Sequence, residues 1–115
     1  MKIQSLHSYL LLGFMTTMIV SCSTHYFLEG NTLNDQGAYM EAAEQYERAL
    51  VGRYDTAAYE SLVPIYLELN RHDRALECLD SLEAIKGLST DQKFSRAETL
   101  MSLGRYSEAQ EAYSE

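Results

Sequence analysis

Two stretches of the chain, Gly37-Ala-Tyr-Met-Glu-Ala-Ala-Glu-Gln-Tyr46 and Gly104-Arg-Tyr-Ser-Glu-Ala-Gln-Glu-Ala-Tyr113, repeat glycine, tyrosine, alanine and tyrosine at one spacing, 67 positions apart. A third stretch, Asn70–Leu79, lies halfway between them, with asparagine in place of the glycine and leucine in place of the second tyrosine. One alanine recurs in all three at intervals of 33 and 34 positions: Ala42, Ala75 and Ala109. A period near 34 is that of a helix-turn-helix unit, so the sequence predicts an all-α protein of stacked helical hairpins.

The segments between these stretches have the periodicity of partner helices. In the middle unit, apolar residues at intervals of three, four and seven share one helical face: Tyr59, Leu62, Val63 and Tyr66. Gly37, Asn70 and Gly104 suit the left-handed conformation that ends a helix. Ser89-Thr-Asp-Gln92 has the pattern of a capping box and predicts the start of the fifth helix. Pro64 falls inside the third helix and removes one backbone hydrogen bond, so we expect a kink there and no break.

From about Ser23 onward the chain resembles the tetratricopeptide-repeat (TPR) family. The first unit matches the family pattern at these positions: Tyr26, Gly30, Leu33, Gly37, Tyr39, Ala42, Tyr46, Ala49 and Leu50. The chain departs from the pattern at Glu29, where leucine is usual, at Tyr54, where proline often ends a unit, and at Arg96, where an apolar residue is usual. The resemblance implies an α-solenoid of about three units that share one apolar core, at about 23–55, 56–88 and 89–115, the last incomplete.

The beginning of the chain has a different character. Lys2 is the only formal charge among the first 28 residues, and the apolar run Tyr9–Val20 has the length of a signal-peptide core and is short for a bilayer span. Ile19-Val-Ser-Cys22 resembles the lipobox of bacterial lipoproteins, in which the thiol receives a diacylglycerol and the signal is cut just before it. The resemblance implies a lipoprotein signal peptide over 1–21 and a lipid anchor on Cys22. Incorporation of labelled palmitate would detect this anchor. A cleaved signal without lipid, or a buried apolar helix that ends in cysteine, is the alternative.

The residues after the cysteine bear on localisation. Residues 23–28 contain no acid, whereas in lipoproteins an aspartate there can retain the protein in the inner membrane and an acidic run can mark a surface-exposed one. We therefore expect an outer-membrane position facing the periplasm of the bacterial cell envelope. Cleavage before Cys22 leaves 8 basic and 17 acidic residues, a formal charge of −9, which argues against a nucleic-acid partner. Cys78 is then the remaining thiol, and we expect it to be a small, partly buried apolar residue.

No motif of a known catalytic or phosphate-binding site occurs in the sequence. The many carboxylates lie at helical surface spacings, as in Glu41, Glu44 and Glu47, which is typical of solvated helix faces. The histidines are scattered, and we expect His72 to be a solvated turn residue. The sequence therefore predicts a protein that is not an enzyme, with no catalytic residue, no cofactor, no metal site and no small-molecule substrate.

The resemblance implies a binding groove, because in this family the first helix of each pair lines a concave surface that holds a peptide or a helix. The residues at the corresponding positions here are Phe27, Asn31, Asn34 and Asp35 in the first unit, Glu60, Pro64, Leu67 and Glu68 in the second, and Asp91, Phe94, Glu98 and Met101 in the third. Aromatic side chains among acids predict a protein or peptide partner with basic and apolar residues. Family members that clamp a terminal carboxylate also need lysines and arginines in the groove, and Phe27, Glu60 and Glu68 argue against that specificity here.

These features favour a membrane-anchored scaffold that holds envelope proteins together, because an anchor raises the effective concentration of its domain for partners at the same surface. One alternative is the N-terminal part of a larger outer-membrane glycan-binding lipoprotein, which the absence of tryptophan and of a long insertion disfavours. Another is the TPR region of a sensor protein. Because repeat arrays end in a polar capping helix, we expect Ala109 and Tyr113 to face nothing unless the array continues in a longer protein or a partner covers that end.

Overall fold

The computed structural model describes residues 2–115, and it describes side chains for residues 4–15 and 22–115. The described residues form six α-helices: α1 (Lys2–Asp35), α2 (Tyr39–Ala49), α3 (Thr56–Glu68), α4 (His72–Lys86), α5 (Thr90–Ser102) and α6 (Tyr106–Ser114). The main contacts join each helix to the next along the chain. This order of contacts is that of a stack of hairpins, which confirms the predicted all-α solenoid.

The three turns inside the helix pairs have one backbone conformation. Gly37, Asn70 and Gly104 lie in the left-handed region, with φ of 74°, 55° and 74°. In each turn the backbone N–H of the following residue donates a hydrogen bond to a carbonyl of the preceding helix. The pairs are Ala38 to Leu33 at 2.9 Å, Arg71 to Tyr66 at 2.7 Å and Arg105 to Leu100 at 2.9 Å. This is the hydrogen bond of a Schellman motif, which satisfies an orphan carbonyl at the helix end. The predicted helix ends are confirmed at all three positions.

Serine and aspartate side chains begin the first helices of the second and third pairs. The Asp55 carboxylate accepts from the N–H of Ala57 at 3.0 Å at the start of α3. At the start of α5, the Ser89 hydroxyl accepts from the N–H of Gln92 at 3.2 Å, and the Gln92 side chain accepts from the N–H of Ser89 at 2.9 Å. The predicted capping box is therefore confirmed. Pro64 is exposed within α3, which continues to Glu68 without a break.

The apolar faces meet in a core that runs across the pairs. Its main cluster includes Tyr46 from α2, Leu62 and Tyr66 from α3, and Leu79 and Leu82 from α4. A smaller cluster of Leu76, Leu100 and Ala109 joins α4 to the third pair. The expectation that Ala109 would face nothing is wrong, because α6 packs it against Leu76 and Leu100, and it is only 2% exposed.

Three departures from the repeat pattern are accommodated at the surface. Glu29 is exposed, and His25 lies one turn before it in the same helix. The half-buried Arg96 forms an ion pair with Asp80 at 2.9 Å, which provides its charge with a partner where an apolar residue is usual. Tyr54 is exposed in the loop between α2 and α3. These changes leave the stacking of the helices intact.

Helix α1 runs through the predicted junction between residues 21 and 22. The side chains of Ile19, Val20 and Ser21, which are part of the predicted lipobox, lie outside the described ones. Of the described side chains, those of residues 4–15 are all exposed, and the first buried one along the chain is Ser23. In the part of the chain that the structure describes, no helix is both long and apolar enough to cross a bilayer. Among the described side chains, packing into the repeat stack is thus seen from Ser23 onward.

Candidate partner-binding surfaces

The groove residues predicted on α1 are partly engaged in the first helix pair. The rings of Phe27 and Tyr46 lie 5.5 Å apart, and the Tyr46 hydroxyl donates a hydrogen bond to Oδ1 of Asn31 at 2.6 Å. Both Phe27 and Asn31 are half-buried. Asn34 is half-buried beside the turn, and Asp35 is exposed at the end of the helix. Phe27 and Asn31 therefore support the fold of the first pair.

The groove residues predicted on α3 have different environments. Glu60 forms an ion pair with Lys86, so much of its charge is neutralised. Leu67 is half-buried and packs against the main core. Pro64 and Glu68 are exposed. Of these residues, Leu67 offers apolar surface and Glu68 offers an accessible charge.

An aromatic and thioether cluster lies at the third pair. Phe94 and Met101 on α5 are 54% and 47% exposed. The ring of Tyr113 on α6 meets Phe94 edge to face at 5.7 Å, and its hydroxyl lies 3.7 Å from the sulfur of Met101. Tyr113 was expected to face nothing, and that expectation is wrong. The same repeat positions meet in the first pair, where Tyr46 contacts Phe27.

A groove of about 310 Å³ lies between α3 and α5, and we call it the α3–α5 groove. It is lined by Leu67, His72, Ser95, Glu98, Thr99 and Ser102. The structure thus brings together Leu67 and Glu98, two of the residues predicted to contact a partner. His72 was expected to be solvated, and this is wrong: it is half-buried as the first residue of α4, and its Nδ1 has no hydrogen-bond partner in the part of the chain described here. The pattern did not indicate His72, Ser95, Thr99 or Ser102, because their meeting depends on how two pairs stack.

Glu98 is the acidic residue that lines this groove, and Glu68 follows the lining residue Leu67 in α3. Within the described residues, the following predicted groove acids form no ion pair: Asp35, Glu68, Asp91 and Glu98. The same residues include no group of three or more side chains that could hold a metal ion. Unpaired carboxylates beside apolar surface attract a cationic segment and disfavour an anionic one.

A second cleft, of about 360 Å³, lies where α2, α3 and α4 meet, and its polar groups pair with each other. Tyr66 donates to Glu47, and the Arg74 guanidinium bonds Glu47 at 2.7 Å and Glu77 at 2.5 Å. Burial and the Glu47 carboxylate raise the pKa of Tyr66 to about 12. Burial would raise the pKa of Glu47, but hydrogen bonds from Tyr66 and Arg74 outweigh it and lower that pKa. These groups make their hydrogen bonds within the protein, and two carboxylates against one guanidinium leave the network with a net negative charge.

Cys78 also lines this second cleft and is buried. Burial raises the pKa of its thiol to about 12, so it stays protonated at neutral pH. A protonated thiol is a poor nucleophile. The residue serves as a small apolar core residue, as predicted.

The helix stack is similar to a solved structure described as the first TPR of Spaghetti (RPAP3) bound to the HSP90 peptide SRMEEVD. The TM-score is 0.69, the sequences are 20% identical, and the similarity covers 83% of this chain and 76% of that one. This chain has the TPR fold. No protein-family model matches the sequence, and no curated protein matches it either. Its TPR units are thus shown by their three-dimensional arrangement.

Proposed function

We propose that this protein is a lipid-anchored TPR scaffold of the bacterial cell envelope, and that its α3–α5 groove binds an extended partner segment with basic and apolar residues. The observation that carries the proposal is that Leu67 and Glu98 lie in one groove between the first helices of neighbouring pairs. A lysine or arginine can lay its aliphatic stem along an apolar side chain while its charged end meets a carboxylate.

The acidic residues at this groove favour a partner of different charge from the peptide bound in the similar solved structure. The peptide in the similar structure, SRMEEVD, contains three acidic residues and one basic residue. Here Glu68, Asp91 and Glu98 would repel such a peptide, because like charges across an interface oppose association. The shared fold supports protein binding, and the acids of this chain favour a partner of opposite charge.

Repeat register supports anchoring at Cys22. Cys22 stands 33 positions before Asp55, and Asp55 stands 34 positions before Ser89. Asp55 and Ser89 are the N-cap residues of α3 and α5, so cleavage before Cys22 would start the first helix at the same register as the other two. The Ser23 hydroxyl, one residue later, already donates to the carbonyl of Ala49 at 2.9 Å. The lipid would therefore join the repeats without a linker.

The absence of an acid among residues 23–28 supports an outer-membrane position facing the periplasm. In that setting the protein would bring its partner to the membrane by tethering. Tethering needs no catalytic group, since it acts by raising the local concentration of two proteins for each other.

The groove is tested by fluorescence anisotropy with two labelled peptides, SRMEEVD and a peptide of equal length in which lysine and leucine alternate. We expect the lysine–leucine peptide to bind and SRMEEVD not to bind. Glu98→Lys should weaken the binding of the lysine–leucine peptide by about tenfold, or 1.4 kcal/mol. Glu41→Lys, at an exposed acid of α2 outside the groove, makes the same charge change and should have little effect. Tighter binding of SRMEEVD, or equal effects of the two substitutions, would contradict the proposed groove.

A further inference from the structure

The loop between α2 and α3 lies at the same end of the helix stack as the predicted anchor. The buried hydrogen bond from Ser23 to the carbonyl of Ala49 holds the start of the repeats against the end of α2. Val51 follows Ala49 by two residues, and Cys22 directly precedes Ser23. A lipid on Cys22 would therefore bring this loop to the membrane surface.

The loop projects apolar, basic and aromatic side chains into solvent. Val51 and Tyr54 are 76% and 84% exposed, which makes Tyr54 the most exposed large apolar side chain of the described residues. Arg53 is exposed and forms no ion pair with any described residue. Gly52, with φ of 70°, makes the turn that projects them. The nearby acid, Asp55, is engaged as the N-cap of α3.

This set of side chains fits the interface between lipid and water. Tyrosine is enriched at the level of the headgroups, because its ring is apolar and its hydroxyl is polar. Arginine can extend its guanidinium to lipid phosphates while its stem stays against the acyl chains. The chain carries a formal net charge of −8, so general attraction to an anionic membrane is not expected, and a contact has to come from a local basic and apolar surface.

We propose that Val51, Arg53 and Tyr54 form a second membrane contact beside the lipid anchor, with the headgroup region of the bilayer as the partner. This inference rests on the proposed anchoring at Cys22. With two contacts at one end, the starts of α1, α3 and α5 point toward the bilayer, and the α3–α5 groove stays open at the side. A single flexible anchor would leave the stack free to tilt.

The absence of tryptophan from the chain provides a direct test. A Tyr54→Trp substitution introduces one fluorescent reporter in the loop. Tyr106→Trp introduces a reporter at the start of α6, at the end of the helix stack opposite the predicted anchor, where Tyr106 is 69% exposed. Each full-length variant is purified from membranes and reconstituted into vesicles of phosphatidylethanolamine and phosphatidylglycerol, with and without brominated acyl chains. We expect brominated lipid to reduce the Tyr54→Trp emission by about half, because bromine quenches an indole only at short range and a tryptophan at the headgroup level lies beside the upper acyl chains. The Tyr106→Trp emission should not change.

The contribution of the Arg53 charge is tested in the Tyr54→Trp variant. Arg53→Glu should abolish most of the quenching, and Arg71→Glu, at an exposed arginine of the opposite end, should leave it unchanged. Palmitate incorporation is measured in each preparation. Labelled protein without quenching of the Tyr54→Trp reporter overturns the loop contact and leaves the anchor in place. Crosslinking of this loop to a protein, with no quenching in pure lipid, also overturns it. Unlabelled protein overturns the anchoring and the loop contact together.

Discussion

At the scale of single residues, the repeat positions compensate for one another in size. In the first pair, Gly30 lies against Tyr46, and a Cβ on Gly30 would come within 2.9 Å of the tyrosine ring. The equivalent positions of the second pair hold Val63 and Leu79, both in the main core. A smaller side chain on one helix thus accompanies a larger one on its partner. This explains why the second unit lacks a glycine at this position and keeps the same fold.

We expect Gly30→Ala to destabilise the protein by about 1–3 kcal/mol, because the new methyl group forces the tyrosine ring out of a filled site. Adding Tyr46→Leu should recover part of this loss. In the second pair, the equivalent of Tyr46 is Leu79, which packs with Val63, a residue larger than glycine. Thermal unfolding of the two single variants and the double variant measures the coupling. A double variant that is less stable than the sum of the two single effects would contradict the size compensation.

At the scale of helices, the structure shows which features local sequence determines. The turn residues and the capping box were predicted because each depends on a few neighbouring residues, such as Ser89 and Gln92. The engagement of Phe27 and Asn31 by Tyr46 was not predicted, because it depends on the rotamer of a residue on another helix. The α3–α5 groove likewise depends on how two pairs stack. The sequence thus predicted the helices and several surface residues, and the packing decided which of them meet.

The capping box provides a prediction at this scale. Ser89→Ala removes the side-chain acceptor at the start of α5 and should destabilise the protein by about 1 kcal/mol. Ser81→Ala, inside α4, is the matched control: its hydroxyl bonds the carbonyl of Glu77, so it stands in no cap, and alanine has the higher helix propensity. Hydrogen exchange should show the loss mainly in α5 and α6, because repeats couple to their neighbours. Faster exchange spread evenly over all the described helices would contradict this.

At the scale of the whole molecule, the described side chains fall into two unlike regions. Those of residues 4–15 are exposed, and those of residues 22–115 include the packed stack, which begins with Ser23. A lipobox was predicted from four residues, and Cys22 stands at the repeat position where Asp55 and Ser89 are N-caps in the later pairs. The continuity of α1 through this position was not predicted. Helix formation propagates readily once it has begun, so an apolar segment without proline extends it.

We expect wild-type protein expressed in a bacterium to incorporate labelled palmitate and to sediment with membranes. Cys22→Ser should abolish the label and release the protein from the membrane fraction, because it removes the thiol that would carry the acyl chains of the anchor. Cys78→Ser is the matched control, since it removes the other thiol, which is buried, and it should leave labelling unchanged. Labelled Cys22→Ser protein would show that the lipid is attached elsewhere.

The order of contacts along the stack also has a mechanical consequence. Each helix packs mainly on its neighbours in the chain, so a pull between an anchored first helix and a partner on the last pair passes through every helix interface in series. In a series the smallest interface yields first. That is the junction of α4 with the third pair, where the buried cluster consists of Leu76, Leu100 and Ala109. If the chain is anchored as proposed, load would detach the third pair first and leave the first two pairs folded.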